Sequence, residues 1–307
     1  MGRVVLAGGS GFLGTALSRE LLRDSWEVVN LTRSPREDAD GVRDERWDGR
    51  TVGDWARYVD GAASVVNLAG RSVDCRYTAR NRAEIVNSRV DSVRTIAAAI
   101  RKCSVPPAVW IQACSLAIYG DAGDRICDEN APHGQGFTVE VCENWERAFD
   151  AEDVGATRKV MLRIGFVLGR GGGALAKLAG LARWGLGGTT GSGRQWISWL
   201  HVRDLNRIMS WAMERESVSG IYNVTGPTPV RNREFMRELR RALGVWFGPP
   251  APALAVRIGS FFMRTEASLA LTGRRCSPSR LIEEGFDFQH IDLRQTMQDL
   301  LCDPDTA

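Results

Sequence analysis

The chain has 307 residues, 44% of them hydrophobic and 25% charged, ordinary proportions for a globular protein with a sizeable core. A net charge of +3, with acids interleaved among the basic residues, makes no case for nucleic acid or an anionic membrane surface as a partner. Nearly all the positive charge is arginine, since Lys102, Lys159 and Lys177 are the only lysines.

Residues 3–7 read as a short buried strand, followed by glycines and a helical stretch over 15–24. Two further β-rich runs occupy 27–31 and 63–68, the second bounded by Gly61 and Gly70. From 83 to 102, Ile85, Val86, Val90, Val93, Ile96 and Ile100 recur at three- and four-residue intervals, the spacing of one long amphipathic helix. Pro106 and Pro107 end the linker that follows it, and 109–113 begins another strand. Strands alternating with helical patterns predict a parallel sheet with helices on both faces.

Beyond residue 160 the alternation loosens. A strand is expected over 160–168, a helix over 174–184, a glycine-rich loop over 185–193 and a strand over 196–200. Then come a helix over 204–214, a short strand over 221–224 and a helix over 232–243 with Asn232 as its N-cap. The fold expected is α/β, a Rossmann-type doubly wound parallel sheet with a smaller, mostly helical C-terminal lobe. The domain division expected is a nucleotide-binding domain over 1–160, its sheet completed by 160–225, and a lobe over 226–307 that shapes the substrate pocket.

Seven cysteines lie scattered and unpaired in spacing, and three histidines lie far apart, so neither a disulfide framework nor a metal site is expected. No apolar run approaches the ~20 residues of a membrane helix. Since a strand begins at once, leaving no room for a signal peptide, a soluble cytoplasmic protein is expected.

Gly8-Gly9-Ser10-Gly11-Phe12-Leu13-Gly14 follows a strand and opens a helix. A pyrophosphate there would meet unpaired backbone N–H groups and the positive end of the helix dipole. Gly8 permits the tight turn, Gly11 the close approach of phosphate, and Gly14 the close packing of helix on strand. An NAD site places an acid at the end of the second strand to bind the ribose 2′-hydroxyl. Here that strand ends in Thr32-Arg33-Ser34. Arg33 can pair with a 2′-phosphate, with Thr32 and Ser34 as hydroxyl donors, so NADP(H) is the cofactor expected.

These residues resemble the extended short-chain dehydrogenase/reductase superfamily, with Gly8, Gly11 and Gly14 as its glycine cradle. Asn67-Leu68-Ala69-Gly70 resembles its fourth-strand signature, and the stretch from Cys114 to Gly120 its fifth. More closely, the chain is similar to the atypical subgroup labelled epimerase family proteins. Ser198-Trp199-Leu200-His201-Val202-Arg203-Asp204-Leu205, Tyr222-Asn223-Val224-Thr225-Gly226-Pro227 and Pro278-Ser279-Arg280-Leu281 carry that likeness over nearly the whole chain. The resemblance implies cofactor contacts at the glycine loop, Thr32, Arg33, Leu68, Ala69, Gly70, Glu84 and Arg89, with Trp47 and Asp48 flanking the adenine. It also implies a small-molecule substrate and allows a homodimer paired through the long helices.

One departure bears on mechanism. Active members of the superfamily use Tyr-x-x-x-Lys, the lysine lowering the tyrosine pKa so that it shuttles a proton as hydride moves. The residues four beyond Tyr58, Tyr77, Tyr119 and Tyr222 are Ala62, Asn81, Gly123 and Gly226, so the motif is absent. At its expected place stand Val141 and Trp145. Ser115 remains to polarise a carbonyl and Tyr119 to lie beside the nicotinamide, while Glu143, Glu146 and His201 are candidates for a replacement acid or base. The expected function is that of an NADP(H)-dependent oxidoreductase or epimerase-like enzyme on a small carbonyl or sugar-like substrate. The alternative is a sensor that holds the cofactor without turning it over.

Overall fold

The computed structural model describes residues 2–36 and 41–302. Its strands are β1 (Arg3–Ala7), β2 (Glu27–Thr32), β3 (Arg43–Arg46), β4 (Ser64–Asn67), β5 (Val109–Ser115), β6 (Ile126–Cys127), β7 (Arg158–Ile164), β8 (Phe166–Leu168), β9 (Trp196–Ile197), β10 (Trp199–His201), β11 (Gly220–Val224), β12 (Val230–Arg231) and β13 (Arg275–Cys276). Its α-helices are α1 (Phe12–Arg23), α2 (Ala79–Ile100), α3 (Phe137–Asp150), α4 (Gly173–Leu181), α5 (Val202–Glu214), α6 (Asn232–Ala242), α7 (Ala253–Phe262), α8 (Ser268–Leu271), α9 (Ser279–Glu283) and α10 (Leu293–Leu301).

Seven strands form one wholly parallel sheet in the order β11-β7-β5-β4-β1-β2-β3. This is the Rossmann order, and it reverses between β1 and β4, where ligands bind beyond the carboxyl ends of the strands. The crossovers from β1 to β2 and from β4 to β5 run in opposite directions. With right-handed connections they place α1 and α2 on opposite faces. Accordingly α1 packs with α5, and α2 with α3. Covered on both faces, β4 is buried throughout and β1 is buried from Val4 onward.

A second apolar cluster joins Leu168, Leu175 and Trp199 to Phe235, Leu239 and Met297, and so draws on residues before and after 226. Gly165 and Ser198 create the junction between the two cores. The expected strand over 160–168 breaks at Gly165, where a Cβ would lie 2.6 Å from the Ser198 carbonyl oxygen. β7 stays in the large sheet while β8 leaves it to pair with β10. The expected strand over 196–200 breaks at Ser198 in the same way, β9 pairing with β12. The Ser198 hydroxyl donates to the Arg274 carbonyl and accepts from the Cys276 N–H, both at 2.9 Å.

Two helix starts differ from expectation. Arg231, not Asn232, is the N-cap of α6, and Asn232 lies inside the helix with its Oδ1 accepting the Thr190 N–H at 2.9 Å. α2 begins at Ala79 rather than 83, because Thr78 Oγ1 accepts the Asn81 N–H at 3.2 Å and so caps the extra turn. Among the described residues no helix is long and apolar enough to cross a membrane.

Candidate functional site

The glycine loop turns from β1 into α1 at the switch point. Gly8 has φ +80°, and a Cβ there would lie 3.0 Å from the Ala69 backbone, so only glycine lets this turn approach the loop after β4. At Gly14 a Cβ would sit 2.3 Å from the Gly9 Cα, which no side-chain movement relieves. Gly11 differs: a Cβ would meet only the Gly8 carbonyl oxygen, at 3.5 Å, so its flank is open. Gly11 is also the N-cap of α1, with no side-chain cap to the helix. Phe12 and Leu13 begin the helix, and a first turn without a cap keeps donors for a phosphate.

At the end of β2, Thr32 Oγ1 donates to Ser10 Oγ at 3.4 Å and accepts the Ser34 N–H at 3.3 Å, tying this strand end to the glycine loop. Arg33 is exposed and has no hydrogen bond or ion pair among the described residues. An unengaged guanidinium beside a phosphate cradle suits a 2′-phosphate, so the residues fit a bound NADP(H).

Several other expected contacts are committed elsewhere. Trp47 is buried and packs on Trp55 with ring centroids 5.5 Å apart, in the core beneath the site. Asp48 accepts the N–H groups of Thr51 and Arg50, each at 2.8 Å, and these bonds hold its carboxyl below the usual range. It therefore organises its own turn. Glu84 pairs with Arg71 and, at 2.9 Å, with Arg80. Leu68, Ala69 and Gly70 form the loop after β4, with the Ala69 N–H donating to Asn67 Oδ1 at 3.0 Å.

Gly70 lies against Arg89, since a Cβ there would be 3.2 Å from the Arg89 Cζ. Arg89 Nη1 donates to the carbonyls of Arg71 and Ile85, and its guanidinium lies 4.9 Å from the Trp145 ring centroid. A cation therefore lies against Trp145.

Ser115 ends β5 half-buried, and its Oγ accepts the Ala117 N–H at 3.2 Å. Its own proton has no acceptor among the described residues, so it can be offered to a substrate oxygen. Tyr119 is fully buried, and its hydroxyl accepts from Arg163 Nη1 and lies 2.8 Å from both the Asp128 carbonyl and Asn223 Oδ1. With burial also pushing its pKa up, this hydroxyl is engaged in holding the sheet edge.

The three replacement candidates are likewise occupied. Glu146 forms a buried two-point ion pair with Arg163, at 2.8 Å for each bond. Glu143 meets His133 at 3.0 Å near the surface. His201 caps α5 through Nδ1, and burial together with the stacked His290 pushes its pKa down to about 3. Asp204 is buried and braces the chain after α9, accepting the N–H groups of Gln289 and His290. Sequence reasoning gave no site role to Asp74, Tyr77 or Arg274. Their signal was weak, because each is a single residue whose neighbours come from distant parts of the chain.

The profile of the NAD dependent epimerase/dehydratase family matches residues 4–225. The chain belongs to that family. Residues 251–300 match a second profile, described as a domain of unknown function. Epimerase family protein SDR39U1 of Bos taurus is 34% identical over 98% of this chain and 100% of its own length. The chloroplastic SDR39U1 homolog of Arabidopsis thaliana is 33% identical over 94% and 83%. The crystal structure of human SDR39U1 with NADPH superposes with a TM-score of 0.87 at 32% identity, covering 97% of this chain and 99% of that one.

Proposed function

We propose that this family member binds NADP(H) along the glycine loop and acts as an oxidoreductase or epimerase-like enzyme on a small carbonyl or sugar-like substrate. The observation that carries the reading is the uncapped glycine cradle with Arg33, which has no partner among the described residues, at the neighbouring strand end. The NADPH held by the human relative of similar fold supports it. Bound NADPH would supply or accept hydride. In the crevice, Ser115 would donate its hydroxyl proton to the substrate oxygen, and Arg89 would provide positive charge beside the nicotinamide-bearing end.

Calorimetric titration of the protein with NADPH and with NADH tests the cofactor half. NADPH should bind more tightly, and Arg33→Ala should weaken NADPH by about tenfold or more, as loss of a charge-assisted bond requires, while sparing NADH. Equal affinity for the two nucleotides in the unaltered protein would remove the NADP assignment.

A second reading, a sensor that holds NADP(H) without turnover, is supported by Val141 and Trp145 in place of the proton relay. Substrate-dependent NADPH consumption that disappears in Ser115→Ala would favour the enzyme. A tightly held cofactor that no carbonyl compound oxidises would favour the sensor.

A further inference from the structure

Three donors around the Ser115 end of β5 stand without acceptors. Arg274 Nε, Arg89 Nε and Tyr77 Oη are buried atoms with no hydrogen-bond partner among the described residues. Arg274 is the most exceptional. No ion pair or side-chain hydrogen bond is formed by its guanidinium among the described residues, although the side chain is half-buried and its Nε is shielded from water. The carboxylate of Asp121 acts on it at a distance, and Asp121 Oδ1 is itself engaged by the Gly273 N–H at 3.2 Å.

These groups arrive from separate elements: Arg89 from α2, Arg274 from the approach to β13, Tyr77 from the loop preceding α2. Cys142 of α3 relates them. Its Sγ donates to the Ser115 carbonyl at 3.7 Å, and the same thiol lies within the electrostatic reach of Arg89 and of Arg274. Tyr77 in turn interacts with Arg89. Burial pushes the pKa of Tyr77 up to about 12, so its hydroxyl keeps its proton at neutral pH, and a guanidinium is not deprotonated in a folded protein.

A guanidinium whose Nε is buried without an acceptor is costly, and the cost is relieved when an anion enters. We propose that the crevice beside Ser115 is an anion site that takes a carboxylate or phosphate group carried by the substrate, gripped by Arg274 and Arg89 with the Tyr77 hydroxyl as a neutral donor. The proposal rests on reading this crevice as the substrate site, and it narrows the substrate from any small carbonyl or sugar to one bearing an acidic group. A planar fork of donors suits either anion, and a neutral polyol would leave the guanidiniums uncompensated.

The test uses the full chain saturated with NADPH, so that the nucleotide fills its own phosphate cradle. Malonate and inorganic phosphate are titrated by calorimetry, with glycerol as the neutral comparison. At least one anion should bind in the millimolar range or tighter while glycerol does not, and whichever binds more tightly identifies the acidic group. Arg274→Gln should weaken that anion by about tenfold or more, the value of a charged hydrogen bond, and Arg274→Lys should recover part of the loss.

NADPH affinity, measured separately, distinguishes the two readings. Normal NADPH binding with no anion bound at tens of millimolar overturns the anion site and leaves the cofactor reading standing. Anion binding to the NADPH-free chain that NADPH abolishes also overturns it, because the guanidiniums then serve the nucleotide. If NADPH does not bind at all, the cofactor reading falls. Anion binding that still depends on Arg274 would then uphold the site on its own.

Discussion

Arg163 and Glu146 show how strongly one buried pair governs the edge of the crevice. Their side chains are 4% and 8% exposed, so neither charge can turn to water when the other is removed. Arg163 also donates from Nη1 to the Tyr119 hydroxyl at 2.8 Å and the Glu129 carbonyl at 3.2 Å. Removing one partner of such a pair costs about 3–5 kcal/mol, because the survivor is left as an uncompensated buried charge. Glu146→Gln should lower the unfolding free energy by about that amount in urea denaturation. A loss below about 1 kcal/mol, the range of a surface ion pair, would show that water reaches Arg163. At this scale the turn from β1 into α1 was legible, because Gly8, Gly11 and Gly14 fall within one seven-residue stretch between a strand and a helix. The packing of Trp47 was not, since whether a tryptophan enters the core depends on a distant partner such as Trp55.

The start of α5 couples a helix cap to pH. His201 Nδ1 accepts the Arg203 N–H at 3.0 Å, and its ring stacks on His290 with centroids 3.9 Å apart. Asp204 Oδ2 lies 3.4 Å from His290 Nδ1, and Arg203 adds a positive charge. Burial, then His290, holds the His201 pKa at about 3, against an ordinary value of 6.5. Between those values the unfolded chain takes up a proton that the folded chain refuses. The stabilisation is therefore complete above the ordinary value and declines as pH falls towards 3. His201→Asn retains an acceptor at the cap and removes the proton linkage. Between pH 6 and pH 5 the unaltered protein should lose about 1 kcal/mol more than this variant in urea titrations, and parallel slopes would show that His201 takes up its proton as readily in the folded chain as in the unfolded one. Element boundaries were the least legible part of the fold. Apolar periodicity located α2 and the parallel strands, whereas the breaks at Gly165 and Ser198 arise from contacts between segments far apart in the chain.

Across the whole molecule, the loop after β4 is tied to α4 and α7 by bonds that no local pattern connects. Asp74, in the loop between β4 and α2, pairs with Lys177 of α4 and with the Thr265 hydroxyl just beyond α7. Beside it, Arg76 Nη2 donates to the Phe261 carbonyl at 2.7 Å, and the Tyr77 N–H donates to Glu266 Oε1 at 2.7 Å. The Lys177 and Thr265 bonds hold the Asp74 carboxyl below its usual range, so the clasp is charged and intact at neutral pH and weakens only in acid. α7 contributes no buried residue and exposes Leu254, Phe261 and Phe262, so little else fixes it. A half-exposed pair adds little to global stability, yet it can hold a weakly packed element in place. Asp74→Ala should therefore leave the thermal midpoint nearly unchanged while amide exchange over residues 253–268 speeds up in the native state. If α7 covers the Tyr77 and Arg89 region, the same variant should admit small ligands there faster and release them faster. Unchanged exchange in that segment would mean that Arg76 and Glu266 hold α7 without Asp74. Faster exchange with unaltered ligand kinetics would mean that α7 does not cover that region.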